Sequence, residues 1–156
     1  MYFVGIDIGK NHHEASIVSP EGKQIGRSLR FATTLKGADS LMRFIFKNIG
    51  NSPCVFGMEA TGHYWYPIYS FLKAKGYTIC VINPIQSDSL RKMYIRQTKN
   101  DSIDSFLIAE VIRFGQFGTT SMADENILAM RQLCRYRDSV ISSRTEIKLR
   151  IGTIME

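Results

Sequence analysis

Cysteine is scarce in this sequence. Its three residues, Cys54, Cys80 and Cys134, are far apart, odd in number and never in C-x-x-C spacing. That excludes a disulfide framework and a zinc cluster, and predicts buried free thiols. Long apolar runs are also lacking. No stretch approaches the ~20 residues that a spanning helix needs, and the N-terminus has no charged segment followed by an apolar one. A membrane partner is therefore not expected, and the chain is read as cytoplasmic. Internal repeats and low-complexity tracts are absent too. What is left is an ordinary globular chain of 156 residues, long enough to bury a core, with 44% hydrophobic and 22% charged residues.

Acids are outnumbered, 14 against 20 lysines and arginines, for a formal charge of +6. A charge of this size is common on proteins that merely stay soluble, so its distribution is more telling. Arg91, Lys92, Arg96 and Lys99 crowd into nine residues, and Arg131, Arg135, Arg137, Arg144, Lys148 and Arg150 populate the C-terminal segment. Both groups read as footprints for a phosphate backbone.

Apolar patterning predicts strands at 2–9, 13–19 and about 23–31, the last two separated by the turn "SPEG". "TTLKGADSLMRFIFKNIG" reads as a helix with Leu41, Phe44, Ile45 and Asn48 on one face and Gly50 as its stop. "CVFGME" is a fourth strand, residues 63–76 a helix with Pro67 in its first turn, and "YTICVIN" a fifth strand. A further helix spans 100–114 and "QFGTTS" breaks it. The order β-β-β-α-β-α-β-α predicts an α/β domain, with three antiparallel strands followed by parallel additions. We place this domain at 1–118 and a long helix, the start of a coiled-coil-like region, at 119–156.

That helical pattern runs from about residue 124 with no glycine before Gly152. Met130, Leu133, Val140, Ile147, Ile151 and Ile154 trace a heptad seam, in which Arg137 and Arg144 occupy positions that should be apolar. Either the two arginines lie on a solvated face, or they mark where the seam opens to grip nucleic acid. The helix has no stop signal before Glu156, and the chain reads as a fragment of a longer protein.

Four acids stand in unusual places. Asp7 interrupts the first strand between Gly5 and Gly9, Glu59 ends the fourth strand, and Asp101 and Asp104 are three apart at a helix start. The last spacing puts two carboxylates on one helix face, about 5–6 Å apart at Cβ. Strand ends and helix starts converge on one edge of an α/β sheet, so all four can meet there. Carboxylates sharing a pocket repel unless a cation neutralises them. Hard oxygen ligands at this density suit Mg²⁺ or Mn²⁺, and a pair of such ions can serve both oxygens of a phosphodiester displacement. Each acid also has a plainer reading. Asp7 would bond a turn, Glu59 would be solvated, and Asp101 would cap a helix with Asp104 at N3.

Adjacent strand residues point to opposite faces, so His12 and His13 cannot chelate one ion together and read as ordinary strand residues. The aromatic stretch "TGHYWYPIY" has two readings, base stacking or core, and core is favoured; Thr61 is a candidate cap for the helix that follows.

The stretches "GIDIGKNHHEASI", "GMEATGHYWYPI", "VINPIQ" and "RQTKNDSIDSFLIAEVI" resemble the N-terminal domain of the DEDD transposases of bacterial insertion sequences. These are relatives of the pilin-gene invertases and are also described as bridge-RNA-guided recombinases. The match covers residues 2 to 115 or so, in family order and spacing. It implies an RNase H-like, RuvC-type fold: a mixed sheet with flanking helices. It also implies that Asp7, Glu59, Asp101 and Asp104 are the four metal-binding acids, and Lys99 matches a usual lysine. The partners implied are DNA and a structured guide RNA, in a homodimer or larger assembly. Family members continue into a second domain bearing a nucleophilic serine. Ser102, Ser105 and Ser142 lack that context, so no catalytic serine is assigned, and residues 1–156 alone are not expected to complete strand exchange.

Two rivals stand against this reading. A sugar kinase or ATPase of the actin-like fold also opens on a strand with Asp between glycines, but it needs a second phosphate loop and leaves Asp101 and Asp104 without a role. A non-catalytic nucleic-acid-binding module would keep the acids as structural groups.

Overall fold

The computed structural model describes residues 1–60, 62–82, 101–115 and 125–155. The chain divides into two compact units, Met1–Thr120 and Ser121–Glu156.

The first unit contains β1 (Tyr2–Asp7), β2 (His12–Val18), β3 (Leu29–Ala32), α1 (Leu35–Ile49), β4 (Cys54–Glu59), α2 (Tyr66–Ala74), β5 (Thr78–Ile82) and α3 (Asp101–Phe114). The strands form one sheet in the order β3-β2-β1-β4-β5. β1–β2 and β2–β3 are antiparallel, while β1–β4 and β4–β5 are parallel. This is the mixed α/β sheet that the element order predicted. The third strand is shorter than 23–31. Gly22 and Gly26 take positive φ, and only an isolated bridge from Val18 to Gln24 precedes Leu29.

Local chemistry sets the helix limits. Thr34 caps α1 by accepting from the Gly37 amide at 3.1 Å, and Gly50 ends the helix with φ 59°. Leu41 and Ile45 are buried as expected, with Ala38 and Ile49 completing the face, while Phe44 and Asn48 are half-buried. Pro67 lies in the first turn of α2. Its helix starts three residues later than the pattern suggested, after a turn that buries Trp65 edge-on against Tyr69. Thr61, the candidate cap, lies outside the described residues. "QFGTTS" lies outside them as well.

The two sheet faces separate by residue parity. On one face, Phe3, Val55, Cys80 and Ile82 pack with Ile108, Val111 and Ile112 of α3. His13, on β2, lies on the other face with residues of α1 and α2. Of the three thiols, Cys80 is buried, Cys54 is half-buried and Cys134 is exposed, all of them free. The expectation of buried thiols thus fails for Cys134, which sits on a helix whose side chains are solvated around almost its whole girth.

The second unit is that helix, α4 (Glu125–Met155). Met130, Leu133, Val140, Ile147, Ile151 and Ile154 of the seam are exposed, as are Arg137 and Arg144. Arg137 pairs with Asp138 at 3.4 Å, both side chains 73% exposed, a contact worth little.

Candidate metal centre

The site is built on one repeated pattern, a glycine two residues before an acid. Gly5 precedes Asp7 on β1, and Gly57 precedes Glu59 on β4. The parallel register pairs Gly5 with Gly57 and Ile6 with Met58, so Asp7 and Glu59 are the next residues of neighbouring strands. Both share the face that the glycines open to α3. A Cβ on Gly5 would collide with the Ser105 carbonyl and the Ala109 amide, and one on Gly57 would come within 2.9 Å of Ile112. At Gly5, helix backbone approaches sheet backbone directly, and at Gly57 the helix side chains fill the space.

The direction of α3 follows from its contacts. Ser105 Oγ lies 2.7 Å from Ser16 Oγ, and Ser16 is the partner of Gly5. Eight residues on, Arg113 donates to the Pro20 carbonyl at 3.3 Å, beyond the end of β2. The helix therefore runs antiparallel to β1, and its N-terminal turn reaches the edge where β1 and β4 end. Asp104, 7% exposed, lies in that turn. Asp101 is the first residue of the helix, but its side chain lies outside the described residues. The structure thus brings Asp7, Glu59 and Asp104 to one sheet edge. Among the described residues, no three His, Cys, Asp or Glu side chains are close enough to hold a metal ion together.

One acid at this edge was not anticipated. Glu14 is the antiparallel partner of Asp7 and shares its face. Glu14, Asp7 and Glu59 therefore form a row across three adjacent strands, spaced about 4.8 Å strand to strand. The repeated parity in "HHEAS" was its signal, since Glu14 and Ser16 are two apart. Like charges directly opposite destabilise a sheet unless a positive group stands near them. The clearest sign is at Glu59, whose Oε1 is buried and has no hydrogen-bond partner among the described residues. A buried carboxylate oxygen without a donor is costly. The donors at this edge are carboxylate oxygens, the type that Mg²⁺ and Mn²⁺ prefer.

The basic residues are divided. Arg91, Lys92, Arg96 and Lys99 lie outside the described residues. Arg137 and Arg144 are exposed on α4. The stretch "TGHYWYPIY" is mostly structural, with Trp65, Ile68 and Tyr69 buried and His63 exposed.

A mixed sheet with acids at the shared edge of its parallel pair defines an RNase H-like domain. The family model for IS110-type DEDD transposases, described as "Transposase", matches residues 4–156, and the chain belongs to that family. Among solved structures the fold is similar to RuvC of Thermus thermophilus in complex with a Holliday junction substrate. That comparison has a TM-score of 0.53 and 13% identity, covering 77% of this chain and 99% of the other. RuvC alone from the same organism gives 0.51 and 13%, covering 77% and 100%. No curated protein matches in sequence. Family membership removes the actin-like kinase reading. Among the described residues no helix is long and apolar enough to cross a membrane.

Proposed function

We propose that this chain is the metal-dependent DNA strand-cleaving and rejoining domain of an insertion-sequence transposase, acting in the bacterial cytoplasm. The observation that carries the reading is the unpartnered, buried Oε1 of Glu59 at the edge that also holds Asp7 and Asp104. Asp7, Glu59, Asp101 and Asp104 would hold Mg²⁺ or Mn²⁺. When bound, such ions stabilise the attacking and leaving oxygens of a phosphodiester displacement.

The chain's own residues supply the rest. Glycine-seated α3 fixes the acids on rigid elements, which keeps their oxygens in place. Arg91, Lys92, Arg96 and Lys99, with Arg137 and Arg144 on α4, neutralise strand phosphates and position the DNA and a structured guide RNA. The exposed apolar seam of α4 suits a homodimer or larger assembly.

The test is nicking of a DNA four-way junction, the substrate named for the RuvC neighbour, with Mn²⁺ and with EDTA. Wild-type chain nicks only with metal. Asp7→Asn and Glu59→Gln lose at least a hundredfold in rate while binding the junction as before. Equal nicking by the variants would reduce the acids to structural groups and favour a non-catalytic binding module.

A further inference from the structure

On the face away from α3, a cavity of about 250 Å³ opens beneath the start of α1, between β2, β3 and α2. Phe31, Phe71, Ile68 and Leu35 make it mostly apolar, and none of its lining residues is acidic. Its polar lining is Thr33, Thr34 and His13, the last only 2% exposed. Nδ1 of His13 accepts from the Gly9 amide at 3.3 Å, and burial lowers the pKa of the ring. The neutral ring therefore carries its proton on Nε2, which has no hydrogen-bond partner among the described residues. Two features next to lining residues favour an anion. The N–H groups of Leu35 and Lys36 in the first turn of α1 have no carbonyl of their own helix to bond. Lys75 Nζ stands 5.0 Å from the centroid of the Phe71 ring.

We propose that this cavity takes one unstacked base of a single-stranded nucleic acid, which accepts from His13 Nε2–H while its phosphate meets the start of α1. The volume is below the ~300–1,000 Å³ of a drug-sized ligand pocket and suits a single flat ring system. An aliphatic side chain of a protein partner would fill the apolar part but leave the imidazole N–H without an acceptor. A base satisfies it and brings the negative charge that Lys75 and the helix start favour. The inference rests on the nucleic-acid part of the reading above and is independent of the metal.

Fluorescence anisotropy in EDTA, with the full chain and labelled ten-nucleotide RNA and DNA strands, tests it. A failure of the metal reading leaves this assay untouched. The base-bearing strand should bind about tenfold or more tightly than an abasic strand of equal length, as expected for one stacked base. Of the two sugars, the one bound more tightly identifies the ligand. His13→Phe, which keeps the ring contact with Phe31, and Phe71→Ala should each lose about five- to twentyfold. In the unaltered chain, the Nε2 resonance of His13 should shift on adding the preferred strand. Equal affinity for the abasic strand, or a stationary His13 resonance, overturns the proposal. So does a Phe71→Ala chain that changes self-association in sedimentation but not strand affinity, which would make the cavity a contact between copies.

Discussion

Ser16 Oγ and Ser105 Oγ lie 2.7 Å apart, both fully buried, and tie β2 to α3 across 89 residues of sequence. The bond sits one strand away from Gly5, where the helix backbone touches the sheet. Hydroxyl pair and glycine together set the height and register of α3, and so the place of Asp104 relative to Asp7.

Gly5→Ala should therefore be among the most damaging small substitutions in the chain. Its methyl group meets two backbone groups of α3, which cannot swing aside as a side chain can. Overpacking costs typically about 1–3 kcal/mol, and this case belongs at the upper end. Ser105→Ala, which removes the hydrogen bond to Ser16, should cost less, a neutral hydrogen bond being worth about 0.5–1.5 kcal/mol. Urea unfolding of both variants gives the ranking; a milder Gly5→Ala would mean that α3 is not seated as described.

Arg113→Ala should destabilise the fold, because the Glu110 carboxylate that it pairs with is buried. Arg113 grips Glu110 with two bonds, at 2.6 and 2.8 Å, and the Glu110 side chain is only 3% exposed. The double variant Arg113→Leu with Glu110→Leu, with no charge left to strand, should recover much of the loss. A double-mutant cycle on unfolding midpoints measures the coupling.

The strands and helices were legible because burial imposes a period on the sequence. Leu41 and Ile45 announce α1, and "CVFGME" is bounded by turn residues. That Asp7, Glu59 and Asp104 fall at one sheet edge was legible in outline, because parallel strands and the helix that crosses them share an edge. Less legible were the partners of that edge. Gly5 and Gly9 flank Asp7 in the sequence without showing what they make room for. They admit the α3 backbone and the His12 carbonyl. The parity of "HHEAS" puts Glu14 on the face of Ser16, but only the register against Asp7 brings it to this edge. Glu110 and Arg113, three apart on a helix, look like any solvated pair. Only the seating of α3 on the sheet buries Glu110.

Cysteine reactivity should follow burial. Cys134 is exposed, while burial pushes the Cys54 thiol up to about 11 and raises that of Cys80 as well. The thiolate is the nucleophile. At pH 8, a thiol near 11 is thiolate to only about one part in a thousand. Iodoacetamide should therefore label Cys134 first, read by peptide mass spectrometry, although Cys54 is half-exposed. Labelling of Cys54 at the rate of Cys134 would contradict its burial.

His13 should make the fold acid-sensitive. Burial lowers its pKa from 6.5, and the charge of His12 lowers it further. The folded chain then takes up fewer protons at this site than the unfolded chain, so stability rises with pH in the window where the two differ. The contribution is intact above about pH 6.5 and is lost as pH falls below that value. Melting midpoints between pH 7.5 and 5 should decline, and His13→Phe should flatten the part of the decline due to this site. An unchanged slope in the variant would assign the acid sensitivity elsewhere.

Glu59 offers the most direct test of the metal reading, because it predicts opposite effects with and without the ion. In EDTA, the buried Oε1 has nothing to bond. Glu59→Gln removes that charge, and the variant should be at least as stable as the native chain. With Mn²⁺ at a hundred times its dissociation constant, the native chain should gain about 2.7 kcal/mol by mass action. For a chain of this length that corresponds to roughly 5–10 °C in melting temperature. Glu59→Gln should gain little, reversing the order of the two proteins. Calcium, which accepts the same oxygens at longer distances, should stabilise less if the site is small. Parallel shifts in both proteins would place the ion away from Glu59, and no shift in either would leave the acid row without its cation.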